Sequence, residues 1–142
     1  MIKKVISAIA IALNQTFGDD YDIYTEPIEQ GFEGPCFSIV CVEPVREQRL
    51  GNSYIHSNIF CVHYLTDENT AEKRAECYSI ADTLTNALEY ITVDKNLVRG
   101  TKMHSEFSDG LLHFFVNYDT YSRKVIDKIP MENIESNPSV KG

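Results

Sequence analysis

Polar and apolar residues alternate with a period of two across residues 99–121, on both sides of the pair Asp109-Gly110. Asp-Gly tolerates the positive φ angles of a two-residue turn, so the pattern predicts a β-hairpin centred there. The turn fixes a register. With Ser108 opposite Leu111, Phe107 faces Leu112, Ser105 faces Phe114 and Met103 faces Val116 on an apolar side, while Glu106 faces His113 and Lys102 faces Asn117 on a polar side. A slip of one residue would set Glu106 beside Leu112 and mix both sides, so turn chemistry and side-chain pattern agree.

Two stretches have the helical period needed to cover the apolar side. Ile2, Ile6, Ile9, Leu13 and Phe17 form one stripe, predicting a helix over 2–17 that stops at Gly18. In the second, Asn69 with Glu72 three positions later resembles a capping box, and Cys77, Ala81, Leu84, Leu88 and Ile91 then run down one face. Between them, 22–25 reads as a short strand and 29–34 as a loop. Residues 35–43 are nearly continuously apolar, as in a strand buried on both faces, and Pro44 should end or bend it. The charged stretch 45–52 should project into solvent, and 54–65 reads as a long strand.

The order α-β-β-β-α-β-β implies an α+β fold, a largely antiparallel (mixed) β-sheet with two helices packed on one face. No Gly- or Ser-rich linker divides it, so 1–123 is expected to form a single domain and 124–142 an extended or flexible C-terminal tail.

Composition narrows the function. The 142 residues carry a net charge of -8 with no offsetting Lys/Arg run, a surface that repels phosphate backbones and argues against nucleic acid as the main ligand. Lys3-Lys4 ahead of an apolar run imitates a signal peptide, but the helical spacing fits a core helix and the run is too short to span a bilayer, so no membrane association is expected. Cys36, Cys41, Cys61 and Cys77 contain no C-x-x-C pair and no histidine at zinc-finger spacing, as expected of buried thiols in a reducing compartment. Cys36 and Cys41 have opposite strand parity and so point to opposite faces.

Among groups that could carry chemistry, His104, Glu106 and His113 share the polar side of the hairpin and could hold zinc, as in a small metal-dependent hydrolase. A cross-strand Glu/His pair on a solvated face is the plainer reading, and no nucleophile accompanies it. His56 and His63 have opposite parity and cannot act together, and Asp19, Asp20 and Asp22 lack a calcium loop with a closing Glu. With no dinucleotide, phosphate-loop, serine-elbow or zincin motif either, the expectation is no catalytic residue, no cofactor and no metal. What remains is contact surface. Arg46, Glu47, Arg49, Leu50 and Tyr54 combine Arg and Tyr as interface hot spots do.

Three runs carry a family resemblance: Glu47-Gln48-Arg49-Leu50-Gly51-Asn52-Ser53-Tyr54, Phe60-Cys61-Val62-His63-Tyr64, and Asp109 through Asp119 (Asp-Gly-Leu-Leu-His-Phe-Phe-Val-Asn-Tyr-Asp). Together they resemble the tail terminator proteins of prophages, contractile-tailed phages and phage-tail-like bacteriocins. The resemblance implies a small α/β subunit that assembles into a ring, typically a hexamer, capping the finished tail tube. Its implied partners are itself, the tail tube protein, the sheath protein and neck or head-completion proteins, and a different neck connector is the nearest alternative. It implies a place at the head-proximal end of a virion or tail-like particle, assembly in the host cytoplasm, and no catalytic residues. The segment 46–54 would meet a neighbouring subunit or the tube.

Overall fold

A computed structural model describes residues 1–27, 32–48, 51, 53–67, 69–108 and 110–123, the side chains of Glu47, Gln48, Ser122 and Arg123 aside. The elements run α1 (Ile2–Phe17), β1 (Asp22–Tyr24), β2 (Cys36–Gln48), β3 (Ser53–Leu65), α2 (Lys73–Ala87), β4 (Tyr90–Val93), β5 (Asn96–Ser108) and β6 (Leu111–Arg123). They form one six-stranded sheet in the order β1-β2-β3-β6-β5-β4. The sheet is mixed, because β1 pairs with β2 in parallel while β4, β5 and β6 pair antiparallel in turn. No helix among the described residues is long and apolar enough to cross a membrane.

Period-two alternation decides which side chains meet the helices. Phe37 and Ile39 of β2, Phe60, Val62 and Tyr64 of β3, and Leu112, Phe114, Val116 and Tyr118 of β6 join Val5, Ile9 and Leu13 of α1 and Cys77, Ile80 and Leu84 of α2 in one buried cluster. Both helices therefore cover one face, as the pattern predicts. α1 ends as expected, at Gly18, whose φ of 80° lies in the left-handed region and whose N–H donates to the Asn14 carbonyl. All four thiols are free, and only Cys41 is not fully buried.

Compact packing divides the chain into two units. Of the described residues, one unit comprises those of Met1–Glu47 with His56–Thr120 and holds both helices and the core; the other comprises Gln48, Gly51, 53–55 and 121–123. The predicted tail over 124–142 lies outside the described residues.

Four local features differ from the sequence reading. β2 does not stop at Pro44 but continues to Gln48. β1 pairs with it only from Cys36 to Ser38, so Pro44 falls where β2 has lost its parallel neighbour and a missing N–H is tolerated. α2 starts at Lys73 after Glu72 with no side-chain cap, and the Asn69 N–H instead binds the Asp67 carboxylate in a turn before the helix. The helix also ends sooner. Leu88 caps it and Ile91 belongs to a separate strand, β4, joined to β5 by Asp94 and Lys95 with φ of 50° and 68°, the left-handed pair a tight hairpin needs.

The fourth difference lies in the β5–β6 hairpin. Asp109 is outside the described residues, but Gly110 has φ of 75° and the pairs Ser108–Leu111, Phe107–Leu112, Glu106–His113 and Ser105–Phe114 form as predicted. Between Thr101 and His104 the register shifts by one, at Lys102 with φ of 54°, so Asn117 lies opposite Thr101 rather than Lys102. The bulge places Gly100 opposite Tyr118, in a space that admits no side chain. A Cβ there would lie 2.7 Å from the Leu88 carbonyl oxygen and 2.8 Å from Val116 Cγ2.

Replacing Gly100 by Ala should therefore overpack the junction of α2, β5 and β6. The expected cost is roughly 1–3 kcal/mol, read from the urea midpoint with an unchanged slope. An unchanged midpoint would mean that β5 moves freely away from Leu88.

Candidate functional site

The covered face of the sheet leaves β3 and β6 with a second face of opposite parity, and there the chemistry-bearing side chains gather. Cys61 and His63 stand two residues apart on β3 and His113 stands on β6, the next strand in the sheet. Cys61 Sγ lies 3.5 Å from His63 Nε2, and the His63 and His113 rings meet edge to face with centroids 4.8 Å apart. One donor atom from each of the three residues falls within 4.8 Å of the others.

Burial disfavours the charged forms of Cys61 and His63. Burial pushes the Cys61 thiol up to about 12, the Phe114 backbone hydrogen bond opposing and the Glu106 charge adding. Burial, then the neighbouring His113, holds His63 below the usual imidazole value. His113 Nε2 lies 3.4 Å from the Ser108 carbonyl, which can only accept, so Nε2–H donates to it. His63 Nδ1 is buried and has no hydrogen-bond partner among the described residues.

The trio His104, Glu106 and His113 does not assemble. His104 lies directly opposite Phe115 and stacks on it, with centroids 4.7 Å apart and planes 14° from parallel, while its Nδ1–H donates to the Lys102 carbonyl. Glu106 is exposed opposite His113, whose ring turns to His63 instead. The register was legible, but the neighbour across the other edge of β6 was not. The separation of His56 from His63 holds, since His56 lines a cleft with Lys3 and Arg46.

Deeper on the polar face a hydrogen-bonded set fastens three strands. Asn117 donates through Nδ2 to Thr101 Oγ1 at 3.1 Å and Asp119 Oδ1 at 3.0 Å, and accepts at Oδ1 from the Ser57 hydroxyl at 3.2 Å. Asn117 is buried, so these bonds satisfy an amide that would otherwise be costly to remove from water. The bulge at Lys102 brings Thr101 to Asn117, which is why the straight register missed the set.

Of the predicted contact residues, Arg46 is exposed in the extension of β2, the side chain of Glu47 and all of Arg49 and Leu50 lie outside the described residues, and Tyr54 is half-buried in β3. Its described residues up to Gln48 belong to β2 and those from Ser53 to β3, and Gly51 has φ of 65°. Val42 and Val45 are 52% and 45% exposed nearby. An open cleft of 460 Å³ lies beside Arg46, lined also by Lys3, Pro44, Val45 and His56. Burial, then Arg46, lowers the His56 pKa, and Lys3 and Arg46 put two positive side chains at this cleft.

The outer strands differ in kind. At one side the short β1 covers only the start of β2; at the other, β4 presents Tyr90, 49% exposed, and its hairpin partner β5 presents Leu97, 69% exposed.

Comparison with known proteins places the chain. It is similar to a solved chain of the virion of a native gene transfer agent particle, with 10% identity, a TM-score of 0.47, and coverage of 84% of this chain and 95% of that one. A second solved chain shares 8% identity with a TM-score of 0.37, covering 89% of this chain and 98% of that one. No curated protein matches. The sequence model of the phage tail terminator protein family matches residues 4–130, which take in α2, every strand and all of α1 but its first two residues. The chain belongs to the phage tail terminator protein family.

Proposed function

We propose that copies of this chain close head to tail into a six-membered ring that seats on the end of a phage tail tube and stops its elongation. In a contractile tail the ring also engages the last sheath ring, and where a head exists it offers the docking surface. Family membership over residues 4–130 is the observation that carries this reading. The sheet supports it physically. A head-to-tail contact needs two unlike surfaces on each copy, and an open sheet edged by β1 and β2 on one side and β4 on the other supplies two.

Arg46, Glu47, Arg49, Leu50 and Tyr54 form the proposed contact with a neighbouring copy or the tube. The basic corner at Lys3 and Arg46 favours this, because a chain of net charge -8 repels its own copies unless positive groups meet the acidic surface of a neighbour.

Electron microscopy of tails assembled with and without the chain tests the central statement. Tubes should have one length with it and a broad spread of lengths without it; equal distributions would remove the capping role. Light scattering on a sizing column should find a ring, or a monomer that becomes a ring on added tubes.

Charge reversal at Arg46 and Arg49 together should reduce assembly strongly while altering stability by no more than about 0.5 kcal/mol, as exposed substitutions generally do. Circular dichroism melts and the same sizing column read the two effects separately. Unfolding by these changes would place the segment in a core and refute the contact assignment.

A further inference from the structure

We propose that Cys61, His63 and His113 form a binding site for a divalent cation of borderline softness, zinc above all, which clips β3 to β6 on the face of the sheet away from the helices. The donor set is one thiolate and two imidazoles, the sulfur and nitrogen combination that such ions prefer over the oxygen ligands of magnesium or calcium. Nothing in the tail-capping role requires this site, and it stands independently of the ring.

The geometry is close to complete before an ion enters. At zinc bond lengths, tetrahedral angles separate sulfur from nitrogen by about 3.6 Å. Cys61 Sγ and His63 Nε2 are 3.5 Å apart. All three donor atoms lie within 4.8 Å of one another, so the widest gap closes by roughly 1 Å to match.

The surroundings orient the donors. The Ser108 carbonyl accepts the Nε2–H of His113 and leaves Nδ1 as the ligating atom, the outer support usual for an imidazole on a metal. His63 meets Cys61 through Nε2, so this is its ligating atom and the proton stays on Nδ1. Cys61 is buried, whereas His63 and His113 are partly exposed, so the ion sits with thiolate behind and the fourth position open to water. Binding releases the thiol proton to solvent.

Sheet topology explains the use. β3 and β6 are the two central strands, and they are far apart in sequence. A bond between their outer faces fastens the pairing from the face opposite the two helices.

The test uses the full chain, reduced and stripped of metal, titrated with zinc in a calorimeter and with cobalt in a spectrophotometer. One ion per chain is expected, with a thiolate-to-cobalt charge-transfer band, and zinc should raise the melting temperature by several degrees. Cys61→Ser and His113→Gln should each weaken binding by at least about 100-fold, abolish the zinc-dependent melting shift and, for the serine variant, remove the charge-transfer band. Cys41→Ser, on the opposite face, should bind as the parent does. If a variant does not fold, the band in the parent chain still reports thiolate ligation. A parent chain that takes up no stoichiometric ion, a cobalt complex without the thiolate band, or binding that survives both substitutions would overturn the site.

Discussion

The structure depends on the period-two alternation of β3 and β6, the two central strands, because it assigns every side chain they carry either to the helices or to the opposite face. On the helix side the burden is heavy. Phe60, Tyr64, Phe114 and Tyr118 are all at most 2% exposed, and the tyrosines bring hydroxyls that must find acceptors. Tyr64 donates to a Glu76 carboxylate oxygen at 2.6 Å and Tyr118 to the Leu88 carbonyl at 2.6 Å, so both are tied to α2 or its cap. Burial, with the Glu76 hydrogen bond and charge adding for Tyr64, pushes both phenols well above their ordinary range, and they remain donors. These bonds fix the position of α2 over the sheet, and Leu88 in turn leaves no room for a side chain at Gly100.

How much of this was legible follows from the range of each signal. α1 and the outer part of the β5–β6 hairpin were readable because stripe, Gly18 and Gly110 lie within the elements they define. The bulge at Lys102 was not, since a lysine at positive φ leaves no compositional mark where a glycine would have. β4 was hidden for a related reason. Ile91 continues the helical spacing of Leu84 and Leu88, and the tight turn that reverses the chain uses Asp94-Lys95, which lacks the glycine that marks Asp109-Gly110. Pro44 was over-read, because its effect on a strand depends on whether a neighbour needs its N–H, and that neighbour is remote in sequence.

The candidate site shows the same limit. Glu106 and His113 were paired correctly across the hairpin, yet the side chain that meets His113 is His63, from a strand whose adjacency to β6 no local pattern encodes. Cys61 follows His63 by parity once that adjacency is known. The predicted contact residues fared differently: Arg46 is exposed as expected, in an extended strand rather than an irregular loop, and Arg49 and Leu50 lie outside the described residues.

A phage tail structural protein of this family works by contact, which makes the edges of its sheet a hazard as well as a tool. Beyond Ser38, β2 continues with no parallel partner from β1 and with Val42 and Val45 exposed, an edge that could pair with any strand offered. Pro44 sits in that stretch and withholds one ladder donor, and Arg46 adds a charge two residues on. Together they raise the cost of indiscriminate edge pairing while leaving side-chain contacts available. A strand relying on backbone hydrogen bonds alone meets a missing donor at the proline.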